Sequence, residues 1–224
     1  MKIFVSLLIF LAIVAGIRYV TNKPGPVDQE LIAGIQDKID TMQTGSNDDV
    51  LVNTGTDTDK SVEGDVYVIS SGSSLGWIGR KVWGEHTGTI AITNASAIVS
   101  GNSLVGWEMV INMNDLVVSD LSWDMNTKLV WHLKDGFFDV ANNPEARFVI
   151  SKVTTTTSGA NITGDLTLKG VTKSINFPAT VTIDPAMVKI SATTYIDKEE
   201  FGITEWAGMV DKLFGLVFDL TFNK

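Results

Sequence analysis

Two histidines, His86 and His132, carry the only side chains in this sequence that ordinarily titrate near neutrality. The carboxylates Glu108, Asp115, Asp120, Asp124 and Asp139 are scattered, and no spacing among them sets up the acid and base pair of a glycosidase. The chain has no cysteine, which removes thiol catalysis, thiolate metal sites, disulfides and a lipid-modified cysteine. Two histidines are too few for a histidine-rich metal cluster. No G-x-S-x-G elbow, Walker loop or dinucleotide fingerprint occurs, and K-G-V-T at Lys169–Thr172 closes a hairpin strand. The residue types favour burial over bond-making: 44% are apolar, with ten Phe, six Trp and seven Met. This is the composition of a binding module with no cofactor and no metal.

Charge narrows the partners. Seventeen basic residues against 26 acidic give a formal net charge of −9. A phosphate-binding surface needs the opposite balance, so nucleic acid is excluded as a partner, as is electrostatic capture by an anionic membrane surface. The N-terminus points to a membrane by another route. Lys2 precedes an apolar run from Ile3 to Ile17, which predicts a signal-anchor helix over residues 1–20. The small-x-small cleavage pattern around Ala12 and Ala15 is interrupted by Ile and Val; a cleaved, secreted form is the alternative. Either way the remainder is expected outside the cytoplasm. Residues 21–64, with Pro24-Gly25-Pro26 and repeated Thr/Gly/Asn/Asp, form a linker spanning roughly 35 Å as a flexible chain. Leu31, Ile35 and Ile39 predict a short helix within it, from about Val27 to Met42.

From Asp65 the patterning has period two. Leu75, Trp77 and Gly79 alternate with Gly76, Ile78 and Arg80; Met109, Ile111 and Met113 alternate with Val110, Asn112 and Asn114. Ile162, Gly164, Leu166 and Leu168 oppose Thr163, Asp165, Thr167 and Lys169, while Ile175 and Phe177 lead to Pro178. The final run sets Phe214, Leu216, Phe218, Leu220 and Phe222 on one face. About eight such segments, many long, predict an all-β fold: an eight-stranded antiparallel barrel in preference to a sandwich. Gly79, Gly164, Ala192 and Thr194 on the inward register would leave free volume inside. One stretch, Trp131–Phe148, breaks the pattern. Leu129, Val130 and Leu133 recur at helical spacing behind Asn126 as N-cap, Asp135-Gly136 ends a helical turn, and Phe137-Phe138 follow. That insert either plugs a core or lines a cavity.

Five ordered motifs carry a family resemblance: Ser73–Ile90 (S-S-L-G-W-I-G-R-K-V-W-G-E-H-T-G-T-I), Glu108–Leu116 (E-M-V-I-N-M-N-D-L), His132–Phe148, Thr163–Lys173 (T-G-D-L-T-L-K-G-V-T-K) and Ser191–Ile203. Together they resemble the YceI-like family of bacterial polyisoprenoid-binding proteins with a lipocalin-like barrel, over residues 65–224. The resemblance implies a non-catalytic protein whose apolar tunnel holds an isoprenoid chain such as an isoprenoid quinone or polyprenyl phosphate. It places Leu75, Trp77, Phe137, Phe138, Phe148, Leu166, Leu168 and Phe201 on the tunnel wall. Met109, Ile111 and Phe177 join them on the inward register. Lys81, two residues beyond Gly79, is either a headgroup contact or a solvated rim lysine. His86 follows a turn at the rim, and His132 either orients a phosphate or quinone oxygen or fixes its turn. The chain departs from the pattern in its short segment Thr204–Asp211 and in Asp135-Gly136, where a polar pair is usual. A homodimer is left open, and the rival assignment is a cell-surface β-domain for adhesion or carbohydrate binding with no internal ligand.

Overall fold

The computed structural model describes residues 62–156 and 159–224. The expected anchor helix and the linker helix lie outside them; among the described residues no helix is long and apolar enough to cross a membrane. Among the described residues nine strands form: β1 (Asp65–Ile69), β2 (Ser74–Lys81), β3 (Gly84–Ser100), β4 (Ser103–Val118), β5 (Glu145–Thr156), β6 (Gly159–Leu168), β7 (Val171–Asp184), β8 (Met187–Asp197) and β9 (Val210–Asn223). Their pairings run β3–β2–β9–β8–β7–β6–β5–β4 and return to β3, a closed antiparallel ring of eight. The ninth strand does not widen the ring. β1 lies end to end with β2, pairing the far part of β3 (Asp65↔Val99) and the tip of β9 (Ile69↔Phe222). Ser73 bridges the break between them: its hydroxyl donates to the Thr221 carbonyl at 3.0 Å and accepts from the Thr221 N–H at 2.9 Å.

Alternation decides which face is inside, because shifting any strand by one residue would turn its apolar set to water. On β9 every second residue from Phe214 to Phe222 is buried. Trp107, Phe148, Phe177 and Phe218 meet across the interior, with ring centroids 4.8–6.4 Å apart, and fill one half of the barrel. Such pairs contribute about 0.5–1.5 kcal/mol each beyond their buried area. The small inward residues leave less room than their size predicts. A Cβ on Gly164 would lie 2.4 Å from the Phe148 ring, so that glycine is the seat of an aromatic and not free volume. β3 runs on unbroken through Ile98 to Ser100.

Two ladders of the ring are short: β4 and β5 pair only from Glu108↔Val149 to Asn112↔Glu145, and the β7–β8 seam is similar. β7 and β8 pair only from Thr180↔Ser191 to Asp184↔Met187, so residues 171–179 and 192–197 face each other without a ladder. A cavity of about 300 Å³ opens where they part, lined by Pro178, Ala179, Thr180, Ser191, Ala192 and neighbours. A 3-10 turn, Lys198–Phe201, packs against β7 and β9 at the other side of the seam.

The insert between β4 and β5 is longer than one turn. Helix α1 spans Trp123–His132 and continues as a π-helical turn, Leu133–Phe137. Ser122, not Asn126, holds the N-cap position; Asn126 instead donates its Nδ2 to the carbonyls of Val118 (2.7 Å) and Leu121 (3.1 Å), tying α1 to the end of β4. Gly136 does not end the helix either. The Phe138 N–H donates to the Leu133 carbonyl at 2.9 Å and the Val140 N–H to that of Lys134 at 2.8 Å, so the backbone widens and only then stops. Asp139, at φ +49°, closes the stop and accepts from the side-chain amides of Asn142 and Asn143. Lys169 donates to the Gly136 and Phe137 carbonyls at 3.2 and 3.1 Å, satisfying acceptors that a helix end leaves open. The insert thus closes one end of the barrel.

Candidate functional site

Among the described residues, two chambers lie beneath the insert. The inner one is lined by fifteen residues, all apolar, from β2, β3, β4, β5, β6, β7, β8, β9 and the segment after the π turn. Leu75, Met109, Ile111, Phe138, Phe148, Leu166 and Leu168, all predicted from sequence, are among them, with Ile175, Ile196 and Phe214 added by the fold. The outer chamber is lined by Trp77, Gly79, Arg80, Lys81, His86, Leu129, Leu133, Phe137, Trp206, Val210 and Phe214. Each encloses about 30 Å³, room for about two water-sized spheres. Phe214 is common to both, and Phe137 and Phe138 stand beside it at 6.4 and 5.6 Å, so a wall of three aromatic rings divides them. The insert therefore does both things its sequence allowed. Its two Phe are packed core, 3% and 2% exposed, and each faces a chamber.

The outer chamber has a polar edge. Lys81 and His86 share the inward register of β2 and β3, where His86 pairs with Gly79. Lys81 Nζ lies 2.6 Å from His86 Nε2, and His86 Nδ1 lies 2.6 Å from Asp120 Oδ2. A carboxylate only accepts, so Nδ1 carries the proton and Nε2 accepts from Lys81. Asp120 is held in place by the Thr87 N–H, 3.1 Å from its Oδ1, just past the end of β4. Lys81 is 9% and His86 6% exposed: Lys81 is not a solvated rim lysine. Burial lowers the pKa of both, opposed in each case by Asp120; for His86 the charge of Lys81 adds to the lowering.

That direction fixes a pH dependence. With the folded pKa of His86 below its unfolded value of about 6.5, the unfolded chain takes up a proton that the folded chain refuses. Stability present above about pH 6.5 is therefore lost as pH falls through the folded value, then levels. His132, lowered by burial against the pull of Asp135, shifts in the same direction. Urea midpoints measured from pH 8 to pH 5 should fall, and His86→Gln should shrink the fall without abolishing it; an unchanged slope in that variant would contradict the assignment.

Three sequence-predicted residues stand outside both linings. His132 is edge-on to Trp131 (4.9 Å) and Trp206 (5.5 Å), holding α1 to the segment before β9. Phe177 stacks on Phe218 at 5.4 Å in the filled half, and Phe201 is buried in the 3-10 turn. The sequence did not single out Asp120, Trp206 or Phe214. It also passed over Trp107, whose buried Nε1 has no hydrogen-bond partner among the described residues. Around the closed end Val82, Trp83, Trp123 and Trp131 are exposed, Trp123 by 88%.

A YceI-like domain matches residues 67–222, from β1 to the end of β9. A UPF0312 protein of Pseudomonas putida strain W619 is 38% identical over 101 residues, covering 38% of this chain and 53% of the relative; another from strain GB-1 is 37% identical over the same length. The chain thus spans about half the length of the curated relatives it matches. Among solved structures, Burkholderia cenocepacia BcnA superposes with a TM-score of 0.57 at 19% identity, covering 66% of this chain and 95% of that one. A polyisoprenoid binding domain from Saccharophagus degradans, implicated in plant cell wall breakdown, gives 0.53 at 12% identity, covering 72% and 99%. At those identities the structures speak for the fold alone. The family match extends over the whole ring and the insert, and the chain belongs to the YceI-like family.

Proposed function

We propose that this protein binds, without chemistry, the chain of an isoprenoid lipid inside its barrel, and that it does so outside the cytoplasm, tethered by its N-terminal segment. One observation carries the reading: a closed barrel whose inner chamber is lined by apolar side chains alone, with one polar cluster at the neighbouring chamber. The solved domain from Saccharophagus degradans, described as polyisoprenoid binding, supports it at the level of fold. The driving force is ample. About 0.8 kcal/mol per buried methylene gives a twenty-carbon chain more than enough to offset ordering costs. Space is the limit, since the chambers hold far less than such a chain. Binding requires the wall of Phe137, Phe138 and Phe214 to part and the barrel to widen, and the short β7–β8 and β4–β5 ladders are where it can yield. The exposed tryptophans around the insert suit a mouth that receives its ligand from a bilayer, where indole rings sit well at the interface.

The filled interior favours one rival, a surface β-domain with a solid core. Organic extracts of protein purified natively from bacterial cells separate the two when examined by mass spectrometry. The lipid-binding reading predicts a prenyl lipid at about one per chain. An empty extract, followed by no uptake when prenyl lipid is supplied, would leave the solid-core domain standing.

A further inference from the structure

We propose that the closed end of the barrel is a membrane-docking face, on which Trp83, Trp123 and Trp131 enter the interface of a zwitterionic bilayer. The docking stands without the lipid-binding reading; its use, receiving the ligand, rests on that reading. Three of the six tryptophans lie here, and they are the three most exposed, at 57%, 88% and 58%. Two of them share one side of α1. Trp123, Thr127 and Trp131 follow at i, i+4 and i+8, an exposed stripe about 12 Å long, opposite the buried Leu129. The helix turns two indoles to solvent where a surface helix ordinarily presents polar side chains. Trp83 stands at the tip of the β2–β3 hairpin beside Val82, which is 60% exposed. Hairpin and helix are joined. The Val82 N–H donates to the Met209 carbonyl at 3.2 Å and the Met209 N–H to that of Trp206 at 2.9 Å, while the Trp206 ring meets His132 next to Trp131.

Chemistry and reach select a bilayer as the occupant. None of the three rings lines either chamber; they stand outward, on a hairpin tip and on the solvent side of a helix. An indole has an apolar body and one N–H, and the headgroup region of a bilayer satisfies both at once. With a formal net charge of −9 the chain has no attraction for an anionic surface, so side-chain burial and not charge must hold it. Trp123 sits at φ +51°, a left-handed conformation that a bulky side chain rarely adopts, and at 88% exposure little packing offsets the strain. A ring held out in this way serves something beyond the fold. The tether permits the contact. β1 begins opposite Val99, so the N-terminal segment meets the barrel at the end of β3 away from Trp83, at most roughly 55 Å along its seventeen residues. Residues 18–61, which follow the apolar run Ile3–Ile17, can extend to roughly 150 Å, so a membrane-held N-terminus lets the closed end turn to the same bilayer.

Residues 1–61 contain no tryptophan, so indole emission from the full chain reports on the barrel alone, whatever the N-terminal segment does. The full chain is reconstituted with excess phosphatidylcholine vesicles, either plain or brominated on the acyl chains near the headgroups, since bromine quenches only indoles that reach the bilayer. About half the emission, the share of three rings in six, is expected to be lost to brominated lipid, at low and at high salt alike. Trp123→Asn combined with Trp131→Gln should lower the quenching of Trp83 as well, because the remaining ring then docks alone. Trp123→Asn by itself should leave the urea midpoint unchanged or raised, since Asn tolerates left-handed backbone; a lowered midpoint would make Trp123 a packing residue and strike it from the face. Emission untouched by brominated lipid would overturn the docking face, whether the rings stay open to acrylamide, as on a bare surface, or are shielded from it, as beneath a second copy of the chain. Release by salt would overturn it too. Quenching that survives Trp83→Gln, Trp123→Asn and Trp131→Gln together would assign the signal to buried rings met by a lipid chain inside the barrel, and so would also overturn it. None of these outcomes bears against prenyl binding, which fails only when the delipidated chain takes up no prenyl lipid.

Discussion

Phe138→Ala is expected to lower the stability of the ligand-free protein by about 3–5 kcal/mol, the range for truncating a fully buried Phe. Phe138 is 2% exposed and is set against Phe137 at 4.9 Å and Phe214 at 5.6 Å, so its removal leaves a void that those neighbours cannot close. In a domain of this size the loss corresponds to a melting temperature lower by roughly 6–20 °C. The same truncation opens the inner chamber toward the outer one, because Phe138 belongs to the wall between them. A prenyl ligand should therefore recover part of the lost stability in Phe138→Ala and raise its midpoint more than it raises that of the wild type. Denaturant midpoints with and without geranylgeraniol measure both quantities. A loss below 1 kcal/mol would show that Phe138 is not core, and equal ligand-induced shifts would show that it is not part of the wall.

Gly88→Ala should be damaging too, for a different reason. A Cβ at this position would stand 1.8 Å from the Val117 carbonyl oxygen and 2.5 Å from Trp77 Nε1. The first obstacle is backbone, so it cannot rotate away; β3 and β4 would have to separate where Gly88 pairs with Val118. The second is the indole that donates to that same Val117 carbonyl at 3.0 Å, and displacing it would strip a wall residue from the outer chamber. Overpacking ordinarily costs about 1–3 kcal/mol, and the broken hydrogen bond adds about 1 kcal/mol more, so a loss of about 3 kcal/mol or failure to fold is expected. Gly72→Ala is the control. Nothing lies within 4 Å of its added Cβ, and its midpoint should stay within about 0.5 kcal/mol of wild type. A stable Gly88→Ala would contradict the close approach of β3, β4 and Trp77.

Why some of this was legible and some not follows from the range of each interaction. Barrel walls separate core from water, so every strand carries the separation as alternation; β9 and β6 could be read residue by residue. β1 escaped notice because five residues carry too little alternation, and only its ends-on junction with β2 gives it a place. The insert was legible as a break but not in its form. Of the ten residues in α1 only Leu129 is fully buried, so no continuous apolar stripe marks its length. Asp135-Gly136 has the sequence of a helix stop, yet Lys169, more than thirty residues away, satisfies the carbonyls that allow the backbone to widen there. Asp120 was one carboxylate among many. Its partner His86 lies 34 residues earlier, and only the β3–β4 register brings them together. Volume was the poorest inference, because a small inward residue records that a neighbour is large as often as that space is empty. Gly164 under the Phe148 ring is such a case.

If the protein binds as proposed, its apolar interior yields to one prenyl chain. Native mass spectrometry of delipidated, folded protein titrated with geranylgeraniol tests it most directly. A single added mass per chain is expected, saturating at one equivalent and lost in competition with a longer prenyl alcohol. A folded protein that shows no added mass at any ratio, or takes up several molecules without saturation, would contradict it.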